Sequence, residues 1–379
     1  MEIKRTIHPV GQGGFYTESF KDNNGHKFMV AYDCGGNSGL FMKRYLSHFF
    51  DWELERRKIK IDAIFISHLH TDHINGLKYL LDNTNVRYLF LPQLTDDMFI
   101  ESLLYNNLQS LENNKDLTNF VLEIYSGDNY GETKIVRVDF SEGENIIDLE
   151  DENIVDLTSS NVPSKIKSGT KLSFDSFWLY LPYNPPVLPH KNMTFSDYLV
   201  KKLNLNSKTL LAPSKVTDLL NTCKIGDLRD AYKNYFGSNH NSYSMTLFSG
   251  IREPYHYEIA SSFNWAYILS KDSRFLINSP NFLYTGDFET QTHFYDISRF
   301  YRPLWYTIKS IQVPHHGSKN NYHPSLYENA NRGFISVGTR NRYHHPSKDT
   351  LIELYRQKCL PIIVTEDDYS KFVSYYSIR

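Results

Sequence analysis

The chain has 379 residues, 40% hydrophobic and 22% charged, which excludes an intrinsically disordered protein and allows one large layered domain with an insertion, or two ordinary ones. A formal charge of −2 gives no global attraction for a polyanion, although a local basic groove stays open. Three scattered cysteines (Cys34, Cys223 and Cys359) exclude a disulfide framework, and no apolar run reaches the roughly 18 residues of a membrane span, so a soluble cytoplasmic protein with no membrane association is expected.

In chain order, Ile7-His8-Pro9-Val10 leads into Gly11-Gln12-Gly13-Gly14, and Phe28 to Tyr32 leads into Asp33-Cys34-Gly35-Gly36. These are predicted as two strands of one sheet whose glycine turns border a shared site. Asp33 is either a turn cap or a carboxylate that holds a metal-ligand histidine. Leu40, Tyr45, Phe49 and Trp52 suit an amphipathic helix from 40 to about 57. The apolar strand from Ile61 to Ile66 then delivers the chain to Ser67-His68-Leu69-His70-Thr71-Asp72-His73-Ile74-Asn75-Gly76-Leu77, and a helix is predicted from there to about Asn83. Neutral imidazole and carboxylate are the donors that borderline divalent cations accept. A strand-to-helix turn lets His68 and His70 face one ion while Asp72 and His73 face a second.

Val86 to Pro92 reads as the next strand, 98 to 124 as helical, and Glu142 to Asp156 as an exposed acidic edge. Phe174 to Leu181 is predicted as a buried aromatic strand closed by Pro182-Tyr183-Asn184-Pro185-Pro186, and 193 to 236 as a helical subdomain or lid. Asn239-His240-Asn241-Ser242 opens a strand running from Tyr243 to Phe248. Phe282 to Tyr284 ends in Thr285-Gly286-Asp287, and Ile308 to Val313 ends in Pro314-His315-His316-Gly317-Ser318. Gly333 to Val337 is followed by Gly338 and then Tyr343-His344-His345-Pro346-Ser347, and Leu360 to Thr365 reads as the last strand. Ligand-type residues thus recur at strand ends, where an α/β sandwich carries its catalytic loops.

This ordered set resembles the metallo-β-lactamase fold superfamily, whose H-x-H-x-D-H signature matches His68, His70, Asp72 and His73. Within that superfamily it is most similar to the hydrolase domain of ComEC-type competence proteins. Val10-Gly11-Gln12-Gly13, Asp33-Cys34-Gly35, Asn239 to Ser242, Thr285 to Asp287, His315 to Ser318 and His345 to Ser347 match that group's motifs in order. Gly14 stands where ComEC-type chains usually carry aspartate. Where the wider superfamily has a further histidine, the chain has only Asn239, His240 and Asn241, which leaves the His68/His70 ion short of a protein ligand unless His240 supplies it.

The resemblance implies an α/β fold, a metallo-β-lactamase-like αββα sandwich of one domain over 1–379 with an inserted segment or lid at about 98–236. It implies two divalent metal ions, zinc or manganese, held by His68, His70, Asp72, His73, Asp287 as the bridge and His315. Asp72, His316 facing the substrate, and His345 would carry the chemistry, with Gln12, Asp33, Asn239, His240 and Ser318 around them. For His345 the alternative is a capped loop residue before Pro346. The implied activity is that of a metal-dependent hydrolase, a phosphodiesterase or nuclease acting on nucleic acid or nucleotides in bacterial anti-phage defence, with protein partners encoded alongside it. Hydrolysis of esters, thioesters or lactones, and a metal-stabilised regulatory module without turnover, stay open because fold does not fix function.

Overall fold

The protein is described from a computed structural model that covers residues 1–56, 58–109, 115–142, 146–149, 153–174, 178–186, 193–205, 215–236, 243–251, 257–258 and 279–378. Two sheets pack face to face with helices on both outer faces, the αββα sandwich of the metallo-β-lactamase type. The first sheet runs in the order Tyr257–Glu258, Phe372–Ile378, Glu2–Ile7, Tyr16–Lys21, Lys27–Tyr32, Ile61–Phe65, Val86–Pro92, Thr133–Val138, Asn129–Tyr130, and Lys165–Ile166 also pairs with Thr133–Val138. The second runs Leu360–Val364, Arg332–Ser336, Ser310–Gln312, Phe282–Tyr284, Thr246–Ile251, Trp178–Tyr183, Lys171–Ser173, Ile154–Asp156.

Three apolar layers follow from the alternation of side chains along the strands. Tyr16, Tyr32, Phe65 and Phe90 from the first sheet meet Trp178, Tyr180, Phe282 and Tyr284 from the second in the inner layer. Glu18 ties the sheets together there: Arg5 donates to it from its own sheet, and Tyr180, Ser249 and Tyr284 donate from the other, so the buried charge is fully engaged. The outer face of the second sheet packs on the helices Thr290–Phe300 and Lys348–Arg356. The outer face of the first carries Gly39–Phe49, Leu77–Asn83, Asp96–Gln109 and Lys115–Ser126. The helices Phe195–Leu203, Val216–Thr222 and Ile225–Phe236 join that same cluster through Phe195, Leu199, Leu219, Leu228 and Tyr232, and so extend the helical layer.

Two expectations are corrected. The strand Trp178–Tyr183 runs through Pro182 instead of ending before it. Pro182 pairs with Leu247 on one side and its carbonyl accepts from Gly169 on the other, where the neighbouring strand Lys171–Ser173 has already ended, so no ladder donor is missed. The chain also does not finish with Leu360–Val364: Phe372–Ile378 crosses to the first sheet and pairs antiparallel with Glu2–Ile7. Its mixture of Ser and Tyr hides that pairing from hydropathy, because among the described side chains of that strand only Ser374 and Tyr376 are buried. The region expected to be helical from 98 to 124 carries the helices Asp96–Gln109 and Lys115–Ser126. Among the described residues no helix is long and apolar enough to cross a membrane.

Candidate metal centre

Ile61–Phe65 is buried along its whole length and ends where the ligand-rich turn begins, and Thr71–Ile74 forms one helical turn that carries Asp72 and His73. The neighbouring turn at Asp33 is sewn to it: the Cys34 amide donates to His73 O at 2.9 Å and the Gly76 amide to Cys34 O at 2.9 Å. A Cβ on Gly35 would lie 2.2 Å from the Asp72 backbone oxygen, so only glycine fits. Gly35→Ala is expected to cost about 1–3 kcal/mol of stability, as overpacking does. It should also lower metal content by shifting Asp72; thermal melting and metal analysis check both.

Asp287 arrives from the second sheet on the Thr285-Gly286-Asp287 turn. That turn hangs from Ser310–Gln312, since the Thr285 and Gly286 amides both donate to Gln312 Oε1 at 3.0 Å. The Asp287 carboxylate then lies 3.2 Å from His73 Nε2 and 3.8 Å from the Nε2 atoms of His68, His315 and His316. His316 Nε2 is 3.2 Å from Asp72 Oδ2. Among the described residues two groups therefore have donor atoms within 4.8 Å of one another: His68, His73 and Asp287, and Asp72, His73 and His316.

The hydrogen-bond network assigns the histidine tautomers. Asp33, fully buried, accepts from the Ser67 amide at 2.7 Å, from the Ser67 hydroxyl at 2.9 Å and from His73 Nδ1 at 2.8 Å. His316 Nδ1 donates to the Ser336 carbonyl at 2.8 Å. His68 Nδ1 lies 3.0 Å from the Ser67 hydroxyl and 3.2 Å from that of Ser244, which also accepts from the Asp287 amide at 3.0 Å. In each case Nδ1 is engaged and Nε2 turns inward. His68 Nε2 and His73 Nε2 are buried with no hydrogen-bond partner, an arrangement a protein tolerates where a cation belongs.

Charge is concentrated here. Burial opposes a charge on His73, but Asp287, Asp33 and Asp72 hold its imidazole well above the usual value. Burial likewise opposes ionisation of Asp72, and His73 with the His316 hydrogen bond holds it below the ordinary carboxylate range. Asp287 is held well down in the same way by His315, His73 and His316. Burial pushes His68 well below its ordinary value, and His73 and His70 act in the same sense.

His315 and His316 both adopt left-handed backbone, φ 48° and 55°. Strain of this kind costs roughly 1–3 kcal/mol per residue and persists where the surroundings impose it. The outcome is that adjacent side chains diverge: His316 is 3% exposed and grouped with Asp72 and His73, whereas His315 is 23% exposed and its Nδ1 meets Asn321 Oδ1 at 2.9 Å. His345 sits 5.7 Å from the His315 ring, with Tyr343 stacked on it at 5.8 Å. Burial first, then His315 and His316, push His345 down to about 4, so it is neutral at pH 7.

His70 belongs to neither group although its ring lies 4.6 Å from that of His68: it stacks on Tyr105 at 3.9 Å and its Nε2 is 3.6 Å from Glu101 Oε2. The Ser318 hydroxyl oxygen accepts from the Asn320 amide at 3.3 Å, which caps the loop. The Gln12 amide donates to Asn37 Oδ1 at 2.7 Å while its side-chain Oε1 is buried without a partner. Asn239 and His240 lie outside the described residues. Ser67, Ser244, Glu101, Tyr105 and Asn106 were not anticipated as site residues. Ser67 directly precedes the histidine cluster, but the others are brought in by tertiary packing and carry no local signal.

The two packed sheets with helices on both outer faces have the metallo-β-lactamase type of fold. A family profile described as the anti-Pycsar protein Apyc1 matches residues 8–140, well under half of the chain. Among solved structures the chain is similar to the BLEG-1 B3 metallo-β-lactamase, at 21% identity over 23% of this chain and 35% of that one, with a TM-score of 0.17. It is also similar to a long form RNase Z from yeast, at 10% identity over 88% of this chain and 36% of that one, with a TM-score of 0.37. The chain thus spans little more than a third of either solved chain. No curated protein matches.

Proposed function

We propose that the protein is a metal-dependent phosphodiesterase acting on nucleotides. The observation that carries this is the buried pair of His68 and His73 Nε2 atoms, without hydrogen-bond partners, converging on Asp287. His68 and His70 would hold one ion, and Asp72, His73 and His316 the second, with Asp287 between them. His316 takes the ligand role expected of His315, because its Nδ1 is committed to Ser336 O and its Nε2 lies against Asp72. A pair of divalent ions, zinc or manganese given these donors, supplies Lewis acidity that lowers the pKa of water and polarises a phosphoryl oxygen. His315, more exposed, and His345, neutral with a proton on one ring nitrogen, face the substrate side. There His345 is placed to hydrogen-bond the leaving oxygen or pass it a proton.

Tyr343 and Arg342 support a nucleotide as substrate. The Tyr343 ring is 49% exposed beside His345, and the Arg342 guanidinium lies 5.7 Å from that ring. An exposed aromatic backed by a cation next to a phosphoryl-transfer centre suits a base and its phosphate. The formal charge of −2 favours a small nucleotide over a long duplex, which needs many phosphate contacts. The ComEC-type motifs favour nucleic acid or nucleotides over other esters, and the anti-Pycsar description of the matched profile supports a setting in bacterial anti-phage defence. The test is a panel of nucleotides, single-stranded and duplex nucleic acid, and ester reporters, with zinc or manganese restored and Asp287→Asn as the blank. Turnover of esters alone would overturn the reading. Tyr343→Ala should raise KM for a nucleotide roughly 5- to 150-fold, the equivalent of about 1–3 kcal/mol of stacking, with kcat nearly kept; steady-state kinetics read the split.

A further inference from the structure

We infer that Glu101, braced by Tyr232, is the positioning residue for His70, so that the helices Asp96–Gln109 and Ile225–Phe236 form part of the metal cage. The inference rests on the dimetal reading above and concerns the ion held by His68 and His70.

One helix grips residue 70 from three directions. Asn106 holds the backbone on both sides, donating to Leu69 O at 2.8 Å and accepting from the Thr71 amide at 2.7 Å and the Thr71 hydroxyl at 2.8 Å. Tyr105 sets the plane of the ring, with 18° between the two rings. Glu101, one turn earlier on the same helix face, places Oε2 3.6 Å from His70 Nε2, so that this nitrogen faces a carboxylate. With Nε2 toward a carboxylate, the nitrogen left for a metal is Nδ1, the reverse of His68, His73 and His316.

Glu101 is itself held. It is 3% exposed, its Oε1 accepts from the Tyr232 hydroxyl, and Ser102 Oγ lies 3.4 Å from its Oε2. A buried carboxylate is costly unless it is paired, and a purely packing helix has no need of one. Asp33 already orients His73 in this manner, so the centre would contain two carboxylate-supported histidines, one supplied by a strand-end turn and one by the helical layer. The ion at His68 and His70, for which the sequence offers fewer ligands, is where such support matters most.

The experiment is calorimetric titration of the full chain, stripped of metal, with zinc, for wild type, Glu101→Ala, Glu101→Gln and Tyr232→Phe, together with melting of each apo form and the visible spectrum of the cobalt-loaded forms. Wild type should bind two ions. Glu101→Ala should weaken one of them about 10- to 100-fold, the usual effect of losing an outer-shell partner, and leave the other unchanged. Glu101→Gln, which keeps an acceptor for His70, should recover most of the loss, and Tyr232→Phe should show a smaller loss at the same ion. The cobalt spectrum should change in Glu101→Ala at one ion only. Unchanged affinity for both ions in Glu101→Ala, or equal weakening of both in step with a lower apo melting temperature, would overturn the inference. A wild type that binds no ion would instead overturn the dimetal reading.

Discussion

Asp287→Asn should strip the centre of metal and abolish hydrolysis while leaving the fold intact. The substitution keeps the shape of the side chain and removes the one charge that four imidazoles share: His73 at 3.2 Å, and His68, His315 and His316 at 3.8 Å. Asp287 sits on a turn anchored by Gln312 through backbone amides, which asparagine does not disturb. A residue proposed to serve both ions should cost more than the roughly 10- to 100-fold in metal affinity that an outer partner costs. Metal content by elemental analysis and turnover on the responsive substrate read the effect together, and a fully loaded, fully active variant would refute the role. Asp72→Ala should empty mainly the Asp72/His73/His316 group, so the two variants separate the ions.

The second large effect is on pH. Asp287, Asp33 and Asp72 outweigh burial and raise His73 well above its ordinary value, so the apo protein carries a proton on that imidazole at neutral pH. Burial pushes the Asp33 carboxyl up as well, yet the proton sits on His73, which faces three carboxylates while Asp33 receives three hydrogen bonds. A metal at His73 Nε2 must expel that proton. Affinity should therefore rise with pH up to the raised His73 pKa, by about tenfold per unit for each proton displaced. The stability of the apo form should move the other way. A group whose folded pKa is raised contributes stability that is complete below the unfolded value of about 6.5 and is lost as pH climbs through the folded one. Calorimetry in buffers of different ionisation enthalpy should count about one proton released per ion bound at this group, and apo melting temperatures across the same range should fall. Binding with no proton release and a pH-independent affinity would contradict both.

Much of the candidate centre was legible because its donors are clustered and its turns are local. A strand followed by three imidazoles and a carboxylate in six residues needs no partner to be recognised, and Thr285-Gly286-Asp287 and His315-His316 stand at the ends of short apolar runs. Asp33 was open between cap and support, and its place beside Ser67 and His73 exists only once the strands Lys27–Tyr32 and Ile61–Phe65 lie side by side. Which of His315 and His316 turns into the buried group had no basis in spacing. It depends on two left-handed residues in succession and on the Ser336 carbonyl, twenty residues further along the chain.

By itself the sequence determined the chemistry available: which donors exist, that they sit at strand ends, and that strands and helices alternate around them. Those features are written in residue type and short-range period. Only the tertiary structure decided how the donors are shared and braced. It brought Asp287 to His73, Ser244 to His68, and Glu101 and Asn106 from a neighbouring helix to the turn around His70. It also let a strand run through Pro182 and returned Phe372–Ile378 to the opposite sheet. The reason is physical. Donor identity is a property of one residue, but whether a nitrogen is held, buried or left facing a cation depends on sheet register and helix packing between residues far apart in the chain.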